Sequence, residues 1–204
     1  MGEVMAHDAY KFLIPLVLLA ILFGFLSLAY LALLAVILLA FVCFFFRNPK
    51  RVIPNGSNLI VSPADGKVVK IQVTENGDRV LSIFLSIFNV HMNRSPISGV
   101  LERLEYRRGK FKPAYDEAAS HLNEQNILTI KGQDTSIVVK QIAGLIARRV
   151  VCWKKPGESL KKGELLGLIR FGSRVDVVVP ESVKIAVQVG DRVHGGSSVL
   201  GEYS

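Results

Sequence analysis

A chain of 204 residues allows one soluble domain and a short accessory segment. Its two cysteines, Cys43 in an apolar run and Cys152 in a strand-like stretch, give neither a disulfide framework nor metal-ligand spacing, so no metal is expected. The net charge of +8 suits either nucleic acid or an anionic lipid surface. No nucleic-acid motif or aromatic interleaving accompanies the basic residues, so no nucleic-acid partner is expected.

After an N-terminal tail (1–11), no charged residue occurs from Phe12 to Phe46. That run is too long for the apolar core of a signal peptide, about 7–15 residues, and exceeds one ordinary span of about 20. Gly24 and Ser27 can divide it, which predicts two helices, Tyr10–Gly24 and Leu28–Phe46, forming a hairpin. The first is short for a span, so a re-entrant arm or one long tilted helix stays open. Lys11 flanks one end, and Arg47, Lys50 and Arg51 flank the other. The positive-inside rule then places both ends, and the domain that follows, on the cytoplasmic face of the cell membrane. There each nearby Lys or Arg adds about 1 kcal/mol of attraction to anionic headgroups.

A linker (47–57) leads into a domain at 58–204 that reads as mainly β. Leu59–Ser62, Gly66–Val73, Val80–Ile87, Gly99–Tyr106, Asn126–Ile130 and Thr135–Ile142 are rich in β-branched and apolar residues. Gly, Pro, Asn and Asp punctuate them. Only Pro113–Gln125 reads as helical, with Tyr115, Ala118, Ala119 and Leu122 at helical spacing. PGESLKKGELLG, within Val151–Leu168, and VGDRVHGGSSVLG, within Ile185–Gly201, share a Gly-acid-x-Val/Leu-x-x-Gly pattern. SPADGKVVKI at Ser62–Ile71 is a third echo. This pattern also occurs in biotinyl and lipoyl domains, so the expected fold is a barrel-like β domain with such strand repeats behind a hydrophobic helical hairpin. The same pattern admits a non-catalytic carrier or adaptor, with Glu181-Ser182-Val183-Lys184 as the modification site. Lys184 stands too close to Gly190-Asp191 for the strand pair a carrier barrel needs, and reads better as a solvated strand lysine.

The chemistry concentrates in His194-Gly195-Gly196-Ser197-Ser198. A glycine turn into an edge strand is the plain reading. The functional one is that the Ser197 hydroxyl attacks the unobstructed Gly196 carbonyl, in an N-to-O acyl shift. β-Elimination and hydrolysis then leave a pyruvoyl group and ammonia. Such a sequence needs a base for the protons and a donor for the oxyanion.

Several ordered motifs accompany this turn: FFFRNPKRVIP after the hairpin, SPADGKV at Ser62–Val68, FNVHMNRSPISG at Phe88–Gly99 and NEQN at Asn123–Asn126. QIAGLIARRVV at Gln141–Val151 and GLIRFGSRVDVVVP at Gly167–Pro180 complete the set. Over nearly its full length the chain resembles the short prokaryotic type of the phosphatidylserine decarboxylase family, a pyruvoyl-dependent one. The resemblance implies self-cleavage between Gly196 and Ser197 into a β chain (1–196) and a pyruvoyl-bearing α chain (197–204). It also implies decarboxylation of a serine-headgroup phospholipid to its ethanolamine counterpart, with the pyruvoyl group as cofactor. The motifs address the headgroup and are indifferent to acyl or isoprenoid ether tails. A homo-oligomer is the expectation.

Asp65 and His91 are carried over from the family's processing machinery. Alone, Asp65 reads as a turn residue and His91 as a strand-end histidine. With Ser197 they would form a Ser–His–Asp set. Longer members resemble a two-histidine stretch here, whereas this chain has His91 followed by Arg94. His91 is also the expected proton donor in decarboxylation. His194 is a possible second base or a barrel-rim residue. Arg174, with Ser173 beside it, is the candidate for headgroup binding, or else pairs structurally with Asp176. Arg94, Arg148 and Arg149 are weaker candidates for that anion site, or else only face the membrane.

Overall fold

The computed structural model describes residues 5–112, 122–145, 149–170 and 172–203. The expected helix at Pro113–Gln125 falls mostly outside these residues, as does Arg148. The chain forms two compact units, Met1–Lys50 and Arg51–Ser204.

The first unit is a helical pair. A 3₁₀ turn at His7–Ala9 runs into α1 (Tyr10–Phe25), and α2 (Ala29–Phe45) follows. Ser27 turns the chain with φ 59°, and Leu28 N–H donates to the Phe23 carbonyl at 2.9 Å. The two ends meet where Ala6 N–H donates to the Phe46 carbonyl at 3.2 Å. Arg47 Nη1 donates to the Phe44 carbonyl at 2.6 Å and its guanidinium lies 3.7 Å from the Phe44 ring centre, which caps α2 with a cation. The turn at His7–Ala9 lengthens the first helical run to 19 residues, His7–Phe25. At about 1.5 Å per residue that run approaches the roughly 30 Å hydrocarbon core of a bilayer. Counted as α-helix alone the first, at 16 residues against 17, is still the shorter, as the sequence suggests, and the turn makes its whole run the longer. Leu18, Ile21, Phe25 and Tyr30 are all exposed, so the apolar surface is not spent on a protein core.

Alkaline carbonate washing should leave the full-length protein in the membrane pellet, and a chain starting at Arg47 should become largely extractable. Release of the full-length chain would show that the helical pair is not an anchor.

Among the described residues, the second unit contains β1 (Leu59–Val61), β2 (Gly66–Val73), β3 (Arg79–Leu85), β4 (Met92–Arg94) and β5 (Gly99–Arg107). β6 (Gln125–Lys131), β7 (Ser136–Ala143), β8 (Val150–Cys152), β9 (Ser159–Leu160) and β10 (Leu165–Ile169) follow. β11 (Ser173–Val179), β12 (Lys184–Ile185), β13 (Arg192–Val193) and β14 (Val199–Glu202) complete the series. An antiparallel eight-stranded sheet runs β13-β2-β3-β11-β7-β6-β5-β9, and two three-stranded sheets run β1-β14-β12 and β4-β10-β8. The period-two alternation sets the register. Ile83 faces Val175, Leu81 faces Val177, Val177 faces Val139, and Val139 faces Leu128. All are fully buried, and each contributes roughly 1.5–3 kcal/mol by leaving water.

A second regularity spans the small sheets. Ser62 Oγ donates to the Ala64 carbonyl and Ser95 Oγ to the Ile97 carbonyl, both at 2.7 Å. Val61 N–H donates to the Pro96 carbonyl, and reciprocally Arg94 N–H donates to the Pro63 carbonyl. Gly196 N–H donates to the Ser62 carbonyl, and Gly163 N–H to the Ser95 carbonyl. Gly190 N–H donates to Val68, and Gly157 N–H to Leu101. Thus 61–68 with 188–197 repeats the hydrogen bonding of 94–101 with 155–164. The turn at Gly195–Ser197 has a counterpart at Lys162–Glu164. Their glycines Gly196 (φ +80°) and Gly163 (φ +78°) lie against each other.

Candidate active site

The turn between β13 and β14 carries Ser197. Gly196 holds a left-handed φ that a Cβ resists, and a Cβ there would also come within 3.0 Å of Arg94 Cδ and 3.1 Å of Ile53 Cδ1. The N–H groups of Ser197 and Ser198 both donate to the His194 carbonyl at 3.0 Å, and His194 N–H donates to Ser198 Oγ at 2.9 Å. Among the described residues no donor reaches the Gly196 carbonyl. Gly196 is buried and Ser197 half-buried, and neither Gly195 nor Gly196 puts a side chain between the Ser197 hydroxyl and this carbonyl.

Asp65 lies directly beneath. It sits in the β1–β2 loop, where Gly66 lets the chain approach the Phe84 carbonyl so closely that a Cβ would stand 2.2 Å from it. The Asp65 carboxylate is buried and accepts Gly195 N–H at 2.8 Å. Arg51 Nη2 bonds both carboxylate oxygens, at 2.9 and 2.8 Å. His194 Nδ1 stands 3.6 Å from the same carboxylate, with its side chain 65% exposed. The structure therefore brings Asp65, His194, Gly196 and Ser197 together, and adds Arg51 and Arg94. Sequence reading missed Arg51, which it assigned to the membrane flank. Arg94, expected at an anion site or facing the membrane, stands instead against the turn.

His91 belongs to a different neighbourhood. It is buried, and Nδ1 lies 2.9 Å from the Asn89 carbonyl. An Nδ1–H donor there leaves Nε2 as the basic nitrogen. Asn89 is fixed in turn, since its Oδ1 accepts from Ser86 N–H and Oγ at 2.9 and 2.8 Å. None of Asp65's described contacts goes to His91. One short strand nevertheless links the two neighbourhoods, because β4 starts directly after His91 and ends at Arg94. Asn93 within it accepts from Gln141 Nε2 at 2.8 Å, and Gln141 accepts from Asn126 Nδ2 at 3.0 Å, all three buried.

Ser173 and Arg174 begin β11 and are also buried. Arg174 Nε and Nη2 meet Asp176 at 2.9 and 3.2 Å, so the structural pairing that the sequence allowed is formed. Arg174 and Asp176 lie on the face of β11 opposite Val175 and Val177, and Ser173 lies on the valine face. Arg149 is exposed. The Lys184 side chain is 83% exposed and lies 3.8 Å from Glu202, as a solvated strand lysine would. Burial raises the Cys152 thiol above its ordinary range.

β14 is the central strand of its sheet, between β1 and β12. Leu200 is buried, Ser62 N–H donates to Ser198, Ala186 N–H to Leu200, and the Tyr203 hydroxyl to Ser57 at 2.6 Å. A segment held this way needs no peptide bond to Gly196 to stay in place.

A sequence model of phosphatidylserine decarboxylase matches residues 38–201. The phosphatidylserine decarboxylase proenzyme of Carboxydothermus hydrogenoformans is 47% identical over 97% of this chain and 96% of its own length. The proenzyme of Solibacter usitatus is 50% identical over 80% of each chain. That of Syntrophus aciditrophicus is 44% identical over 88% of this chain and 87% of its own. The ordered motifs, the Gly–Ser turn over a buried carboxylate and these matches over most of the chain agree, and the chain belongs to the phosphatidylserine decarboxylase family.

Proposed function

We propose that the protein is a self-processing, membrane-anchored decarboxylase acting on a serine-headgroup phospholipid. Ser197, seated directly after the Gly196 carbonyl and above the buried Asp65 carboxylate, is the observation that carries this reading. Ser197 Oγ attacks the Gly196 carbonyl carbon, and the C–N bond breaks as Ser197 nitrogen takes a proton, leaving an ester. Removal of the Ser197 Cα proton breaks the Cβ–Oγ bond and releases Gly196 as a carboxylate. Water then replaces nitrogen on the remaining dehydroalanine, with loss of ammonia. Asp65 supplies negative charge beside the turn, and His194 is the nearest base to it. The α chain, 197–204, stays as the central strand of its sheet.

The residues fit a pyruvoyl group at position 197, which supplies an electron sink for the carbon–carbon bond that breaks. His91, with Nδ1 fixed on Asn89, offers Nε2 to carry the proton to the substrate carbon. Ser173 and Arg174 hold the anionic headgroup, Arg174 exchanging part of its Asp176 pair for phosphate or carboxylate. The cationic flanks Lys11 and Arg47–Arg51 favour the cytoplasmic side for the catalytic unit. The paired glycine turns support a barrel of the biotinyl and lipoyl type.

The test is direct. Purified protein incubated with vesicles of a serine-headgroup phospholipid should release CO₂ and form the ethanolamine lipid, and phenylhydrazine should abolish both. Fully cleaved protein that releases no CO₂ from such vesicles would refute the substrate assignment.

A further inference from the structure

The internal repeat provides a comparison for the scissile turn. Both turns share their backbone bonding, yet the side chains around them differ at a few places. Asp65 holds Gly195 N–H where Ser98 Oγ holds Lys162 N–H, at 2.8 and 3.0 Å. Ser197 stands where the counterpart has Glu164. Arg94 donates its backbone N–H to Pro63 where Val61 donates to Pro96. The counterpart turn thus has no hydroxyl at the Ser197 position and no carboxylate beneath it, and the Arg94 guanidinium is bonded to its Gly163 carbonyl. These two differences separate a reactive turn from a structural one, and a guanidinium lies between the two turns.

The first two have roles above; Arg94 does not. Its side chain lies against Gly196, with Cδ 3.0 Å from the place of a Cβ, and its Nη1 donates 2.8 Å to the carbonyl of Gly163. Gly163 Cα itself is 3.6 Å from that same place. The guanidinium is therefore tethered within the contact between the two glycines, bonded to a neutral carbonyl. Arg51 and Arg94 both stand near the Asp65 carboxylate, which Arg51 bonds through both oxygens. Burial, then the like charge of Arg51, lowers the Arg94 pKa from its ordinary value, and Asp65 partly opposes this. An anion appearing at Gly196 would stand beside this cationic side chain.

Given Gly196–Ser197 as the bond that breaks, such an anion must appear twice. It appears on the Gly196 oxygen in the tetrahedral intermediate of the acyl shift, and again in the Gly196 carboxylate that leaves Ser197 Cβ. We propose that Arg94 stabilises both charges, as the oxyanion donor of self-processing and then the clamp on the new Gly196 carboxylate. A guanidinium bond to an anionic oxygen is roughly twice as strong as one to a neutral carbonyl, so the Gly163 bond yields to the new partner when the charge develops. Preorganised donors of this kind typically account for about 10²–10³ in rate.

The experiment follows cleavage in the full-length chain with time, by the mass of the C-terminal fragment, in wild type, Arg94→Met and Arg94→Lys. Arg94→Met should cleave about 10²-fold or more slowly, and Arg94→Lys should recover much of the loss. Hydroxylamine should split the Arg94→Met protein into a 1–196 hydroxamate and a fragment beginning with intact Ser197, the mark of an ester waiting to eliminate. Wild-type cleavage rate in Arg94→Met overturns the proposal. So does an equal block in Met and Lys variants with no ester in either, which would assign Arg94 to packing alone. An uncleaved wild-type chain removes the scissile-bond reading itself.

Discussion

Ser197→Ala should remain a single full-length chain, with no C-terminal fragment, no ketone and no decarboxylation. Without Oγ there is no nucleophile, and the geometry supplies no substitute. Ser198 follows the bond, and its Oγ is engaged by His194 N–H at 2.9 Å. The mature wild-type α chain should resist Edman degradation, because its first residue has no amine, and borohydride should add to it. Ser197→Cys should pass through a thioester to the same product, and Ser197→Thr should give the homologous ketone. Ser198→Ala should still cleave, losing one turn hydrogen bond worth about 0.5–1.5 kcal/mol. In native conditions the fragment should co-purify with residues 1–196 and separate only in denaturant, because β14 is hydrogen-bonded on both sides. Cleavage in Ser197→Ala would show that another residue is the nucleophile.

The parts of the fold that announce themselves in sequence are those whose pattern is local. The apolar run gave both helices nearly at their observed limits, and the alternation of Leu81, Ile83 and Leu85 marks β3 by itself. Two-residue strands such as β9 and β13 carry no readable period, because their cross-strand partners β5 and β2 hold them. The repeat was half visible. VGDRVHGG and PGESLKKG resemble one another, but the echo of Ser62-Pro63-Ala64-Asp65-Gly66 in Ser95-Pro96-Ile97-Ser98-Gly99 went unused. The reason is topological: each early segment pairs with a distant late one, and the two halves cross. The Arg174–Asp176 pair was legible, since residues two apart on a strand share a face. Which histidine approaches Asp65 was not. His91 and His194 are the same chemical type, and only folding places one of them 3.6 Å from the carboxylate and buries the other beside Asn89.

Asp65→Asn should slow self-cleavage by about 10²- to 10⁴-fold, the usual range for removing a positioned acid–base partner. The amide keeps one oxygen for Gly195 N–H but removes the charge beside the turn, and turns an NH₂ toward Arg51. Leaving that guanidinium without its carboxylate also costs about 3–5 kcal/mol where the pair is buried, so lost processing alone would not separate chemistry from stability. Arg51→Met makes the separation. It breaks the same ion pair, yet leaves the Asp65 carboxylate bonded to Gly195 and near His194. If Asp65 serves the chemistry, Arg51→Met should cleave far faster than Asp65→Asn at comparable thermal stability. His91→Ala should cleave normally and lose decarboxylation, because its described bond is to Asn89 and none of Asp65's reaches it. His194→Ala should slow cleavage, and in the double variant with Asp65→Asn the losses should fall well short of multiplying, as they do for residues acting as one unit. Equal slowing in Arg51→Met and Asp65→Asn would reduce Asp65 to a structural partner. A cleavage block in His91→Ala would return that histidine to the processing unit.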